Sequence, residues 1–218
     1  MKIRAAFYID GFNLYHAIAD LKEPFLKWLN LWELAATLIP HQSEEVVRVV
    51  FCTAYYPGDE NKRWRYSEYL KALEIAGVEC AFGHYVHEPA SCRECGAGWQ
   101  KPTEKQTDIN IALNLYHDAF TDVFDKAYLV TADSDQAATA RFLKVNFPQK
   151  ALVSVSPPGR SFSKNILAHA SAKQQITKEV IERCLFPPIV MGGGKPAARR
   201  PREYAPPQNW VHPRDRPK

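Results

Sequence analysis

No apolar run in these 218 residues reaches the roughly 18 expected of a membrane-crossing helix, so no contact with a membrane is expected. The N-terminus MKIRAAFYIDGF reaches Asp10 without the apolar stretch or cleavage site of a secretory leader. A cytoplasmic protein is the default expectation. Cysteine is scarce and odd in number: the five, at 52, 80, 92, 95 and 184, lack the dense, even pattern of a small disulfide-stapled domain. Reduced thiols or a metal site fit that count better. No internal repeat is found. There is also no GxGxxG after the first apolar run, where a dinucleotide-binding fold would carry it.

What is present is the composition of a soluble globular protein, 46% hydrophobic and 24% charged. The length suits one α/β domain, taken as 1–186, followed by a tail, 187–218. That tail holds eight of the sixteen prolines, a Gly192–Gly194 run, and seven basic residues against two acidic ones. The rest carries 21 basic and 22 acidic residues, so the net charge of +4 comes from the tail. A flexible basic segment is expected there, either adding nonspecific, salt-sensitive affinity for nucleic acid or serving as a plain solubilising end.

Apolar runs at 3–9, 46–55, 78–86, 127–132 and 151–156 read as strands. Helical patterns lie between them: 14–21, 31–39, 59–77, one starting at Thr103, 135–145 and 163–170. Thr103 and Gln106 fit a capping box, with Ile109, Ala112, Leu115, Tyr116 and Ala119 assigned to one apolar face. Strands alternating with helices predict a three-layer α/β/α domain around a mostly parallel sheet.

In such a sheet, sites form at the carboxyl ends of strands. Asp10 ends the first strand, Asp133 and Asp135 follow the fourth, and Asp108 opens the helix before it. Each has a plain explanation as a cap or dipole partner. Together they repel, and a divalent cation, Mg²⁺ or Mn²⁺, offsets such repulsion and suits phosphodiester hydrolysis.

The motifs YIDGFN (8–13), EKQTDINIA (104–112) and LVTADSD (129–135) resemble those of the NYN domain family, a branch of the PIN-like nucleases that includes bacterial LabA-type proteins. The resemblance covers about residues 3–175 and implies a PIN-like fold and a metal-dependent ribonuclease. It implies Asp10, Asp108, Asp133 and Asp135 as metal ligands, with Asn13 beside them on metal water or substrate. Where the family commonly has glycine before the first Asp and a hydrophobic residue after the second, this chain has Ala132 and Gln136.

Lys105, Ser134 and Arg160 are further candidates for binding substrate, the two cations as phosphate contacts, and KRWRY (62–66) could stack on single-stranded RNA. His84, His87, Cys92 and Cys95, within an excursion at 84–102, have spacing that could hold a structural Zn²⁺, with Cys80 as a substitute ligand. The plainer alternative is two reduced cysteines in a surface loop. The expectation is therefore a ribonuclease with an RNA substrate, with room for a homo-oligomer. Its rivals are a non-catalytic RNA- or protein-binding module, and an enzyme of another class such as an aromatic-ring hydroxylase.

Overall fold

The computed structural model describes residues 2–55 and 59–216. A seven-stranded sheet forms the middle layer, in the order β4-β3-β2-β1-β5-β6-β7. The strands are β1 Ile3–Asp10, β2 Glu44–Ala54, β3 Glu79–Ser91, β4 Gly98–Lys105, β5 Lys126–Val130, β6 Ala151–Ser156 and β7 Ala172–Gln175. All neighbours pair in parallel except β3 with β4. The expected α/β/α layering is what forms.

Strand periodicity sorts β1 onto two cores. Ala5, Phe7 and Ile9 face one hydrophobic cluster, which takes in Leu14 and Ile18 of α1 (Gly11–Asp20), Leu31 and Leu34 of α2 (Leu31–Leu38), and Leu70 and Leu73 of α3 (Glu60–Ile75). Ala6 and Tyr8 face the other, with Ile111 and Leu115 of α4 (Thr107–Phe120), Leu143 of α5 (Ala137–Asn146) and Ile166 of α6 (Lys164–Leu167). Because both faces of β1 are covered, it reads as an unbroken apolar run.

Three expectations are corrected. First, the helix foreseen from Thr103 begins at Thr107; residues 98–105 are strand β4. Gln106 sits at φ +80° and makes no cap, whereas Glu104 accepts a 2.9 Å hydrogen bond from the Thr107 N–H. Ile111, Leu115 and Ala119 are the buried face of α4; Ile109 and Tyr116 point outward. Second, the excursion at 84–102 is an antiparallel hairpin that extends the sheet, with Pro102 on the edge strand β4 and Pro89 in the part of β3 beyond its pairing with β2, places where a missing N–H is tolerated. Third, the tail is laid against the body. After α7 (Lys178–Arg183), a hairpin of β8 (Ile189–Gly192) and β9 (Lys195–Arg199) buries Val190 and Ala198. The Arg199 N–H donates to Glu68 at 2.7 Å, Trp210 packs on Phe25, and Arg216 pairs with Glu182 at 2.7 Å. The basic Lys218 lies outside the described residues.

Among the described residues no helix is long and apolar enough to cross a membrane.

Candidate functional site

The carboxyl ends of β1 and β5 are stitched together by hydrogen bonds. Asp10 is the last residue of β1 and the cap of α1: it accepts from the Asn13 N–H and from the Thr131 hydroxyl, both at 2.9 Å. The Asn13 side-chain carbonyl accepts from the Ala132 N–H at 3.0 Å, and Thr131 Oγ1 accepts from the Asp133 N–H at 3.0 Å. Asp133 in turn accepts from the Asp135 N–H. Asn13 is thus committed to holding the turn after β5.

These groups face a cleft of about 280 Å³ lined by Asp10, Asn13, Glu104, Asp108, Asp133 and Arg160, together with Phe12, His16 and Thr107. Burial is the main cause that pushes the Asp10 carboxyl up to about 6, with repulsion from Asp108 and Asp133 adding to it against the two hydrogen bonds. Asp108 is likewise shifted upward, first by burial and then by Asp133 and its other acidic neighbours, against its bond from Gln136. Gln136, almost fully buried, donates to the Asp108 carbonyl at 3.1 Å and carboxylate at 3.3 Å, and accepts from the Thr139 hydroxyl. The substitution of glutamine for a hydrophobic residue at 136 therefore ties α4 to α5.

Asp10, Asp108, Asp133, Asn13 and Arg160 are brought together; Ser134, Asp135 and Lys105 are not among the residues lining the cleft. Ser134 and Asp135 are exposed, and Lys105 is paired with Glu88 at 2.9 Å. Arg160 is also engaged, with Asp20. The proposed zinc ligands do not converge. His84 pairs with Lys105 at the base of the β3–β4 hairpin, while Cys92 and Cys95 lie around its turn. Eight extended residues separate His84 from Cys92 by about 26 Å, and His87 by about 16 Å. The His84 ring faces Gln106 at 3.1 Å. Among the described residues no three His, Cys, Asp or Glu side chains are gathered closely enough to hold one metal ion.

A second, larger space adjoins the cleft. This cavity of about 620 Å³ shares Phe12 and His16 with it and is walled by Phe12, Tyr15, Phe51, Tyr66, Tyr69, Tyr85 and Tyr204. Lys27, Lys62 and Arg65 also line it, with Glu203 as its one acidic residue. Glu203 pairs with Arg65 at 2.8 Å, and the Arg65 side chain is only 19% exposed. The Tyr66 hydroxyl bonds Thr53, and Tyr69 donates to the Leu29 carbonyl at 2.8 Å; burial pushes both phenols above their usual range. Arg65 and Tyr66 of KRWRY thus face this cavity, and Trp64 is exposed. Sequence reasoning missed it because its wall comes from α1, β2, α3, both hairpin strands and the tail. The one local signal was the density of tyrosine and tryptophan near positively charged residues at 62–69.

No protein-family profile matches the chain, and the NYN resemblance stands on its three motifs alone. A search of curated proteins finds 6-hydroxy-3-succinoylpyridine 3-monooxygenase HspA of Pseudomonas putida (strain DSM 28022 / S16), 25% identical over 247 aligned positions that cover 94% of this chain and 77% of the relative. Among solved structures, a Vibrio parahaemolyticus RIMD 2210633 protein of unknown function matches at 17% identity with a TM-score of 0.55, covering 81% of this chain and 94% of that one. The latter likeness concerns the fold alone. The former overturns the ribonuclease reading: the relative is an enzyme, but a monooxygenase, neither a nuclease nor a hydrolase.

Proposed function

We propose that this chain is an aromatic-ring hydroxylase of the monooxygenase type, acting on a small hydroxylated ring that bears an acidic side chain. The observation that carries this reading is the aromatic-walled cavity, whose volume falls in the range of small-molecule sites. Rings of Tyr and Phe offer faces and edges against which a flat heteroaromatic ring stacks. Arg65, Lys27 and Lys62 supply the positive charge an acidic side chain needs, and Arg65 presents a planar fork that suits a carboxylate. The relative's name describes such a substrate, a hydroxypyridine with a succinoyl arm.

Monooxygenation places one atom of O₂ on the ring and releases the other as water, consuming two electrons and two protons from a reductant. The acidic cleft does not fit a dinucleotide reductant: a pyrophosphate sits at a helix N-terminus after the first strand, and here Asp10 closes that terminus with Asp108 and Asp133 around it. The chain's own contribution is to bind and orient the ring and to manage a proton. His16 lines both spaces and is placed to accept the ring-hydroxyl proton, which enriches the ring in electrons before oxygen is added.

The test is incubation of the purified chain with 6-hydroxy-3-succinoylpyridine under ¹⁸O₂, with reduced nicotinamide and reduced flavin supplied in turn, read by mass spectrometry. Incorporation of one ¹⁸O into the product is expected, falling about 100-fold in His16→Gln. Arg65→Met is expected to raise KM about tenfold with a smaller effect on kcat. Failure to bind the ring at millimolar concentration, together with no oxygen uptake, would sink the proposal.

A further inference from the structure

Helix α4 is apolar on two sides. Its inner side, Ile111, Leu115 and Ala119, is buried against the sheet. Its outer side carries Ile109, Leu113, Tyr116 and Phe120, spaced four, three and four apart and exposed by 59, 62, 42 and 76%. The neighbouring α5 adds Phe142 at 53% and Val145 at 70%. A helix with apolar residues on both sides is normally covered on both, and monomers rarely leave more than a few hundred Å² of contiguous apolar surface in water.

We infer that this face is covered by a second copy of the same chain, forming a twofold dimer through α4 and α5. The area agrees: six side chains at these exposures present roughly 700 Å², close to the ~800 Å² that each partner contributes to a stable interface. The spacing agrees too, because residues at four-three-four intervals make the seam along which two like helices pack at a shallow angle. A twofold axis asks only that one patch complement itself. The stripe contains no charged side chain. An antiparallel crossing brings each helix start beside the partner's helix end, a favourable arrangement of the helix dipoles. A nucleic-acid surface would need cations interleaved with the aromatics; among the described residues of this face, Arg141 on α5 alone lies over a ring, that of Phe142 at 5.9 Å.

The inference is independent of the catalytic reading. Sedimentation equilibrium from 1 to 100 μM is expected to give about 50 kDa, twice the 24.8 kDa chain. Leu113→Glu and Phe120→Glu are expected to weaken the dimer at least 100-fold; Val145→Glu, on the other helix, should do the same. Far-UV circular dichroism and thermal midpoints identify any variant that has lost its fold, and the other two then carry the test. A wild-type monomer at 100 μM overturns the inference, as does a dimer that folded variants on both helices leave intact. Binding of another protein by a monomeric chain through this face would overturn it as well.

Discussion

Replacing Asp10 by asparagine is expected to stabilise the protein near neutral pH and to destabilise it slightly in acid. Asp10 is buried, and its carboxyl is pushed up to about 6 from an ordinary 3.8, chiefly by burial and further by Asp108 and Asp133. The folded state therefore holds this proton more tightly than the unfolded chain. Between about pH 4 and 6 the native protein binds more protons, so stability falls as pH rises through that window and levels off above it. At about 1.4 kcal/mol per unit, the ionised carboxylate costs roughly 3 kcal/mol at pH 8. Asparagine removes that charge and keeps an oxygen to accept the Asn13 N–H. The hydrogen bonds to the ionised carboxylate are already contained in that shift, so asparagine gives up only the bond that a neutral acid would share with the Thr131 hydroxyl, worth about 1 kcal/mol. The net expectation is a gain of about 2 kcal/mol at pH 8 and a loss of about 1 kcal/mol below pH 4, the difference of about 3 kcal/mol being set by the shift of the carboxyl. Urea unfolding of both proteins at pH 4, 5, 6 and 8 measures this, and taking the difference cancels the titration of the other carboxylates to first order. A difference that does not change with pH, or that favours asparagine most in acid, would refute the reasoning.

Other positions give sharper structural readouts. A β-carbon on Gly11 would lie 2.6 Å from the Cys52 carbonyl oxygen and 2.9 Å from the Phe51 ring, both fixed by the sheet; Gly11→Ala is expected to cost about 2–3 kcal/mol in urea unfolding, and a loss under 0.5 kcal/mol would contradict that contact. Glu182 is buried and holds both Trp210 and Arg216. Glu182→Gln should speed limited proteolysis within residues 200–216 several-fold while leaving the sheet intact, and an unchanged cleavage rate would show that the C-terminal strap is held elsewhere. The Cys92 thiol is held below its ordinary range by backbone N–H groups of Cys95 and Glu94, whereas Cys52 and Cys184 are buried and shifted upward, mainly by burial. Iodoacetamide at pH 7 should label Cys92 first and reach Cys52 and Cys184 only on unfolding, as peptide mass mapping will show.

The central sheet was legible because its strands are buried on both faces and separated by helices, and that pattern needs no information from distant residues. The hairpin at 84–102 was hidden by Pro89, Pro102 and Gly96, which punctuate a sequence as a loop does; antiparallel pairing from Ser91–Gly98 down to His84–Lys105 supplies the order those residues do not advertise. The start of α4 was misplaced because Thr103 and Gln106 satisfy a capping pattern while their backbone does not. The left-handed Gln106 leaves Glu104 to serve the helix N-terminus. The tail lacks periodicity, and what holds it is a handful of long-range anchors, Val190, Ala198, Trp210 and Arg216, each meeting a partner far away in the chain.

The same contrast separates the two halves of the candidate site. Asp10, Asp108 and Asp133 stand at strand and helix ends, where short motifs announce them. The aromatic cavity is assembled from scattered single residues, such as Phe51, Tyr85 and Tyr204, that no motif joins. Their adjacency has a consequence for how a ring would lie. The cleft beyond Phe12 and His16 is acidic, with carboxylates that already raise one another's proton affinity. An anionic side chain directed there meets repulsion, whereas Lys27, Lys62 and Arg65 surround the aromatic end. A ring with a hydroxyl at one end and an acid at the other would therefore lie with its hydroxyl toward His16 and its acid toward Arg65. The acid competes with Glu203 for that guanidinium. Glu203→Gln should accordingly tighten binding of the acidic ligand by a few-fold and leave its neutral amide unchanged, as isothermal titration would measure; equal effects on both would show that charge does not orient the ring.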